Sequence, residues 1–201
     1  MARPALTEAQ RSETKQKIRA AAAIIYREHG ISNISVRGIA EKAGVSVGTL
    51  YAHFGGLGEL LRSLWGKPLK RLVRELELVT EQNGDAENRL QRLLETYVDF
   101  SNREQAVFKN AFMYVRPDSI AAPERLGLDR DKFFSVFRLS VEEGQKTGIF
   151  RAGDSYRLTQ IVLSAVHGSI TMPVNMHRLA LDNTPEFSGY MIESMLEWLQ
   201  N

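Results

Sequence analysis

Residues 39–54 read IAEKAGVSVGTLYAHF, and this stretch decides the fold of the N-terminal part of the chain. Gly44 lies where a tight turn between two helices needs a glycine, and Ser46 is a favourable residue to begin the second helix. Apolar residues at helical spacing on both sides of the turn can hold two short helices together. The pattern predicts a helix-turn-helix over about residues 35–54, whose second helix is short enough to enter the major groove of DNA.

The sequence on both sides of this stretch is also helical in pattern. Apolar residues recur at helical spacing over residues 12–29, and a long helix carrying apolar residues from Leu57 to Val79 follows a glycine-rich link. Pro68 lies inside that long helix and predicts a kink or a break. No segment alternates with the period of two that a strand requires. Further helices are predicted near residues 86–102, 104–115, 124–147, 155–180 and 185–200. The prediction is an all-α fold of about nine helices.

Composition excludes several classes of protein. The chain has 201 residues and no cysteine, which excludes disulfides, thiolate zinc sites and iron–sulfur clusters. No apolar run reaches the ~18–20 residues of a membrane span, and residues 1–17 lack the apolar core of a signal peptide. A cytoplasmic protein without membrane association is therefore expected. Residues 1–65 hold nine Lys and Arg against five Asp and Glu, and this basic excess favours a polyanionic partner.

Residues 39–54 resemble the signature of the TetR family of dimeric repressors, and residues 23–30, AIIYREHG, resemble the end of that family's first helix. The resemblance covers about residues 14–61. It implies a DNA-binding domain over residues 1–58 and an effector-binding and dimerisation domain over residues 59–201. The implied function is a homodimeric transcriptional regulator, most often a repressor, that leaves double-stranded operator DNA when an unknown small molecule binds. The last two helices would form the dimer, and no cofactor is implied.

The resemblance also implies which residues contact DNA. Arg37 matches a position that reaches a base edge, where a guanidinium group can bind guanine O6 and N7. Val47 can contact a thymine methyl group, whereas Gly48 permits close approach of the backbone. Polar groups near the ends of the two helices would bind phosphates. The predicted DNA-binding residues are Ser35, Arg37, Ser46, Val47, Gly48, Thr49, Tyr51 and His53.

One position departs from the family pattern. The family usually places a phosphate-binding lysine shortly after the Tyr-x-His-Phe element, whereas this chain has Leu57 there, between Gly56 and Gly58. Loss of one phosphate contact should weaken DNA binding and reduce its salt dependence by about one charge. We expect DNA binding to survive, with basic residues elsewhere in the N-terminal part compensating.

The middle of the chain is rich in aromatic residues, which predicts either a cavity for the effector or an ordinary core. For any single residue the core is the more common role, and a lone histidine on an apolar helix face is usually a hydrogen-bonded core residue. A histidine-centred metal site is not expected, because no Asp/Glu cluster lies at ligand spacing. The candidate effector-pocket residues are Tyr97, Phe100, Phe108, Phe112, Met113, Phe133, Phe137, His167 and Ile170.

Two other classes of function compete with a regulator. An enzyme is not expected, because the sequence contains no recognisable acid–base pair, metal motif or catalytic triad. Residues 55–58, GGLG, lack both the lysine and the strand-to-helix context of a phosphate-binding loop. The second alternative is an interaction protein that keeps the family fold but has weak or no DNA binding, which the Leu57 departure allows.

Overall fold

The computed structural model describes residues 7–29, 34–82, 84–113, 128, 130–176, 178–182 and 184–200. Over these residues the chain forms nine helices and no strand, which confirms the all-α prediction. The helices are α1 (Glu8–His29), α2 (Val36–Ala43), α3 (Val47–Phe54), α4 (Leu57–Thr80), α5 (Ala86–Arg103), α6 (Gln105–Phe112), α7 (Lys132–Lys146), α8 (Ser155–Asn175) and α9 (Pro185–Gln200).

The chain divides into two compact units, with the boundary between Lys67 and Pro68. In the first unit, α1 packs against α2, and α2 packs against α3. The apolar residues at helical spacing in the sequence are the ones that this packing buries, which removes their surface from water and stabilises the unit. Its largest fully buried side chains are Ile18, Ile39, Leu50, Leu60 and Leu61.

In the second unit, α5 lies at the centre and contacts α6, α7, α8 and α9. The face of α5 that points into the core carries Leu90, Leu93, Leu94 and Tyr97, each at most 2% exposed, and this spacing places them on one side of the helix. Phe137 of α7 is completely buried. This core positions α6, α7 and α8 around the aromatic residues described below.

Helices α4, α7 and α8 each differ from the sequence predictions in one respect. Helix α4 runs from Leu57 to Thr80 through Pro68, so the helix does not break there, and of the predicted kink or break only the kink stays a prediction. Helix α7 begins at Lys132 instead of near residue 124, because the carboxylate of Asp131 accepts the Phe134 N–H at 2.9 Å and caps the helix there. Residues 124–127 of that prediction lie outside the described residues. Helix α8 ends at Asn175 instead of 180, shortly after Pro173, which lacks the N–H that a helix interior needs.

Candidate functional site

Helix α2 is fixed at both ends by local hydrogen bonds. The Ser35 hydroxyl accepts the Gly38 N–H at 3.1 Å, which satisfies one of the free donors of the first turn. At the other end Gly44 adopts φ 67°, a left-handed conformation that favours glycine. There the Val45 N–H donates to the Ala40 carbonyl at 2.9 Å. Arg37 lies in the first turn of this capped helix.

Helix α3 is closed in the same way. The Ser46 hydroxyl accepts the Thr49 N–H at 3.0 Å, and the two hydroxyl oxygens of Ser46 and Thr49 lie 2.8 Å apart. Gly55 ends the helix at φ 66°, and its N–H donates to the Tyr51 carbonyl at 2.8 Å. The buried Leu50 fixes the inner face of α3 against the core of its unit.

The remaining face of these two helices is open to solvent. Val47 is 38% exposed and Tyr51 is 48% exposed, and Arg37 and Gly48 are exposed as well. Thr49 and His53 are half-buried. No described residue forms an ion pair with Arg37. All eight residues that the sequence predicts for DNA contact therefore lie in or directly before α2 and α3, although their contact with DNA stays a prediction.

The position of the missing lysine is the first residue of α4. Leu57 is half-buried there and has no charge to offer a phosphate. The ammonium group of Lys15, on α1, lies 5.3 Å from the centre of the Phe54 ring at the end of α3. A cation over an aromatic face is attracted by the ring electrons, so α1 supplies a positive charge beside the C-terminal end of α3.

In the second unit, six of the nine predicted effector-pocket residues form one cluster. Tyr97 lies at its centre, with its ring centroid 5.3 Å from that of Phe133 and 5.6 Å from that of Phe112. The Tyr97 hydroxyl oxygen is 2.7 Å from His167 Nδ1. The two ring-centroid distances lie in the range that stabilises aromatic pairs. The cluster members are Tyr97, Phe108, Phe112, Phe133, Phe137 and His167.

The cluster is bordered by cavities. A cleft of about 220 Å³ is lined by Tyr97, Phe112, Phe133, Leu163, Ser164 and His167, and we call it the aromatic cleft. A second cavity of about 230 Å³ has Phe108, Met113 and Ile170 in its wall. Phe100 and Phe137 are buried in the core of the unit.

Leu163 and Ser164 were not predicted from the sequence. Both lie one turn before His167 on α8, and residues separated by three or four positions share a helix face. This spacing could have identified them once His167 was considered as a wall residue.

Burial shifts the pKa values of Tyr97 and His167, the two titratable residues that line the aromatic cleft. It raises the pKa of the Tyr97 hydroxyl above its ordinary value and lowers the pKa of the His167 imidazole, since removal of water disfavours the charged form of each group. Both side chains are therefore neutral at pH 7, and they meet as a hydrogen-bonded neutral pair.

We expect His167 to make the stability of the protein depend on pH. Its pKa is lower in the folded state than the ordinary imidazole value near 6.5, so the unfolded chain binds the proton first as the pH falls. The free energy of unfolding should decrease as the pH falls through about 6.5 towards the folded pKa, and should be fully retained above that window. Urea denaturation at pH 7.5 and 5.5 measures the loss. A His167→Gln variant should lose less over the same interval, and an equal loss in both proteins would contradict the assignment.

Neither a metal site nor a membrane span was found in the described part of the chain. No three His, Cys, Asp or Glu side chains there come together as ligands of a metal ion. None of the nine helices combines the length and the apolar character needed to cross a bilayer.

Comparison with known proteins finds similarity to bacterial transcriptional regulators. A model of bacterial regulatory proteins of the tetR family matches residues 18–64. An uncharacterized HTH-type transcriptional regulator of Mycobacterium bovis is 23% identical over 187 residues, which cover 90% of this chain and 96% of the relative. The HTH-type transcriptional repressor KstR of Mycolicibacterium smegmatis is 24% identical over 159 residues, covering 78% of this chain and 74% of KstR.

A crystal structure of a TetR transcription regulator from Haloarcula marismortui has the same fold. It superimposes with a TM-score of 0.62 at 20% identity, covering 94% of this chain and 97% of the other.

Proposed function

We propose that this chain, whose residues 18–64 match the model of the tetR family of bacterial regulatory proteins, is a homodimeric repressor that binds operator DNA and leaves it when a small molecule binds. DNA binding is assigned to residues 1–58, and effector binding and dimerisation to residues 59–201. The kinship with the repressor KstR supports repression over activation.

The observation that carries DNA binding is the arrangement of α2 and α3. Both begin at a serine cap, so the free N–H groups and the positive end of each helix dipole lie beside the exposed residues and favour a phosphate there. Arg37 stands in the first turn of α2, and Val47, Gly48 and Thr49 stand in the first turn of α3. With α3 in the major groove, Arg37 and Val47 would reach base edges, and Gly48 would let the protein backbone approach closely. The residues that would contact the DNA backbone are Ser35, Ser46, Thr49, Tyr51 and His53.

Dimerisation is proposed through the last two helices. Exposed apolar side chains are concentrated on α8, on the segment after it and on α9, and burial against a second copy would remove them from water. One helix-turn-helix contacts few bases, and a twofold dimer reads two half-sites about 34–36 Å apart. The exposed apolar side chains are Ile161, Met172, Val174, Met176, Leu179 and Tyr190.

The effector is proposed to bind at the aromatic cleft and the cavity beside it. Clefts lined by apolar and aromatic residues with a few polar groups are the usual form of small-molecule sites. For release from DNA, the effector must bind the form with low DNA affinity more tightly than the other form, because equal affinity for both would shift nothing.

The Arg37→Ala variant tests the DNA-binding assignment. A bidentate arginine–guanine contact discriminates by about 1–3 kcal/mol, so we expect operator affinity to fall by about ten- to a hundredfold. Titration against labelled duplexes from the upstream intergenic region, at two salt concentrations, measures the change. Arg74→Ala is the matched control, because Arg74 belongs to the second unit and forms ion pairs with Glu77 and Glu81 there. Equal affinity of Arg37→Ala and wild type for the operator would contradict the role.

The second candidate function is an interaction protein without strong DNA binding. The uncharged Leu57 at the start of α4 favours it, because no cation stands at that position to bind a phosphate. The two functions differ in one measurement. A repressor selects one duplex from a random pool with salt-dependent affinity, whereas an interaction protein selects none at micromolar concentration.

A further inference from the structure

The aromatic cleft carries information about the chemical class of its ligand. Its wall contains four rings, one aliphatic side chain and one serine hydroxyl, and the lining residues are Tyr97, Phe112, Phe133, His167, Leu163 and Ser164. Rings that meet at centroid distances of 5.3–6.3 Å present faces and edges on which a further planar ring can lie in an offset or edge-to-face arrangement.

The size of the cleft suits one ring. Its volume is about 220 Å³, and an engineered apolar cavity of ~150 Å³ is sufficient to bind benzene. A neighbouring cavity of about 310 Å³ shares the Phe112 and Phe133 side chains with the cleft. A substituent on the ring therefore has a direction in which to extend, while the ring itself occupies the aromatic cleft.

The cleft holds no formally charged side chain to pair with an ionic ligand. The neighbouring cavity, which shares Phe112 and Phe133 with the cleft, is lined by Asp131 and Lys132, whose charges are of opposite sign. Lys109 lines the cavity on the other side of the cluster. Burying an unpaired charge is costly, so a neutral compound is favoured over a carboxylate or an amine.

The Tyr97–His167 pair defines the polar group of the ligand. With one proton in the hydrogen bond between the Tyr97 hydroxyl and His167 Nδ1, the neutral pair keeps one further donor and one further acceptor. If tyrosine donates, His167 Nε2–H is the free donor and the tyrosine oxygen can accept. If the imidazole Nδ1–H donates, the roles of the two groups are exchanged. A hydroxyl group both donates and accepts, so it complements the pair in either tautomer.

We propose that the aromatic cleft binds a neutral aromatic compound bearing a hydroxyl group, a phenol, with its ring against Phe112 and Phe133 and its hydroxyl hydrogen-bonded to the Tyr97–His167 pair. The proposal rests on the effector function assigned to the second unit. It goes further by naming the ligand class and the two residues that select it. A phenol remains uncharged at pH 7 because its pKa lies near 10. It therefore enters the cleft without the cost of removing a charge from water.

Calorimetric titration of the purified full-length protein with three probes of similar size tests the ligand class. Phenol should bind saturably and at least tenfold more tightly than either toluene, which lacks the hydroxyl, or benzoate, which carries a charge. Equal binding of phenol and toluene would show that the Tyr97–His167 pair does not recognise the hydroxyl group of the ligand. Tighter binding of benzoate would show that a cation governs the site. Either result, or no binding of any probe, overturns the proposal.

Removal of one hydroxyl tests the recognising pair. Tyr97→Phe keeps the ring in the cluster and should weaken phenol binding by about three- to tenfold, the usual effect of one neutral hydrogen bond, while toluene binding is unchanged. Tyr156→Phe is the matched control, because the Tyr156 ring stacks on Phe134 at 6.2 Å outside the cleft. A Tyr97→Phe protein that binds phenol as tightly as wild type would refute the pair's role.

The same preparation distinguishes this inference from the regulator function. Phenol binding with no effect on a bound operator duplex would leave the ligand class standing and remove the effector coupling. Operator binding without any phenol binding would leave the regulator standing and remove the ligand class.

Discussion

The Gly48→Glu variant is expected to bind operator DNA at least about a hundredfold more weakly than wild type while folding as stably. Gly48 is exposed in the first turn of α3. A Cβ atom at this position would lie 3.8 Å from its nearest neighbour, the Ser46 hydroxyl oxygen, so the side chain fits the folded protein. A carboxylate near a helix N-terminus is also favourable, by ~0.3–1 kcal/mol. On DNA the same carboxylate would face phosphates and base acceptors, and like charges in contact cost several kcal/mol.

Fluorescence anisotropy with a labelled operator, paired with thermal unfolding of the free protein, measures both halves of this prediction. Gly48→Gln is the matched control, since it has the same shape without the charge. We expect glutamine to weaken binding less than glutamate, and the difference between the two isolates the electrostatic part. Operator binding by Gly48→Glu at wild-type affinity would show that α3 does not enter the groove.

The Gly144→Ala variant is expected to be less stable than wild type, with the largest loss of stability among the substitutions considered. A Cβ atom at Gly144, in α7, would lie 2.0 Å from Cδ2 of Phe150, well inside van der Waals contact. The ring cannot easily move away, because Phe150 is 4% exposed and its N–H donates to the Gly144 carbonyl at 3.0 Å. The next residue, Arg151, donates its N–H to the Leu199 carbonyl at 2.6 Å. Overpacking of this kind costs about 1–3 kcal/mol or more, which lowers the melting temperature of a chain this long by roughly 2–12 °C.

Differential scanning calorimetry of four variants, namely Gly144→Ala, Phe150→Leu, their combination and Gly66→Ala, separates the clash from the effect of glycine itself. Gly66→Ala, within α4, has no atom within 4 Å of the added Cβ, and alanine should leave stability equal or raise it by about 0.5–1 kcal/mol. Adding Phe150→Leu to Gly144→Ala should cost less than the sum of the two single changes, because the smaller side chain relieves the overlap. A Gly144→Ala protein as stable as wild type would mean that the ring has another place to go.

The features that the sequence predicted correctly are those that short-range interactions determine. Ser35 and Ser46 cap helices because each hydroxyl needs only an N–H three residues away, and a pattern of that length is visible in the sequence. The left-handed Gly44 is local in the same sense. The nine helices follow from apolar spacing over single turns. The candidate DNA-binding residues of α2 and α3 come instead from the resemblance to the TetR family, and their roles stay predictions.

Features that depend on distant parts of the chain could not be predicted. The contact between Tyr97 and His167 joins residues 70 positions apart, and nothing near either residue indicates the other. The aromatic-rich composition predicted a cluster without separating Phe100 and Phe137, which are buried in the core, from the rings that line the cleft. Pro68 shows the opposite case. Local propensity predicted a kink or a break in α4, whereas the helix continues through Pro68, so the packing of neighbouring residues outweighs one missing N–H.

The caps at both ends of α2 and α3 have an evolutionary consequence. Their ends are held by serine hydroxyls and left-handed glycines, and their inner faces by buried residues such as Ile39 and Leu50. Arg37, Val47 and Gly48 carry none of this support. Substitutions at these three positions therefore leave the fold nearly unchanged, since surface changes away from caps and cores usually shift stability by less than ~0.5 kcal/mol. Under the proposed DNA-binding role, changes at these three positions would alter the target site while the fold is kept.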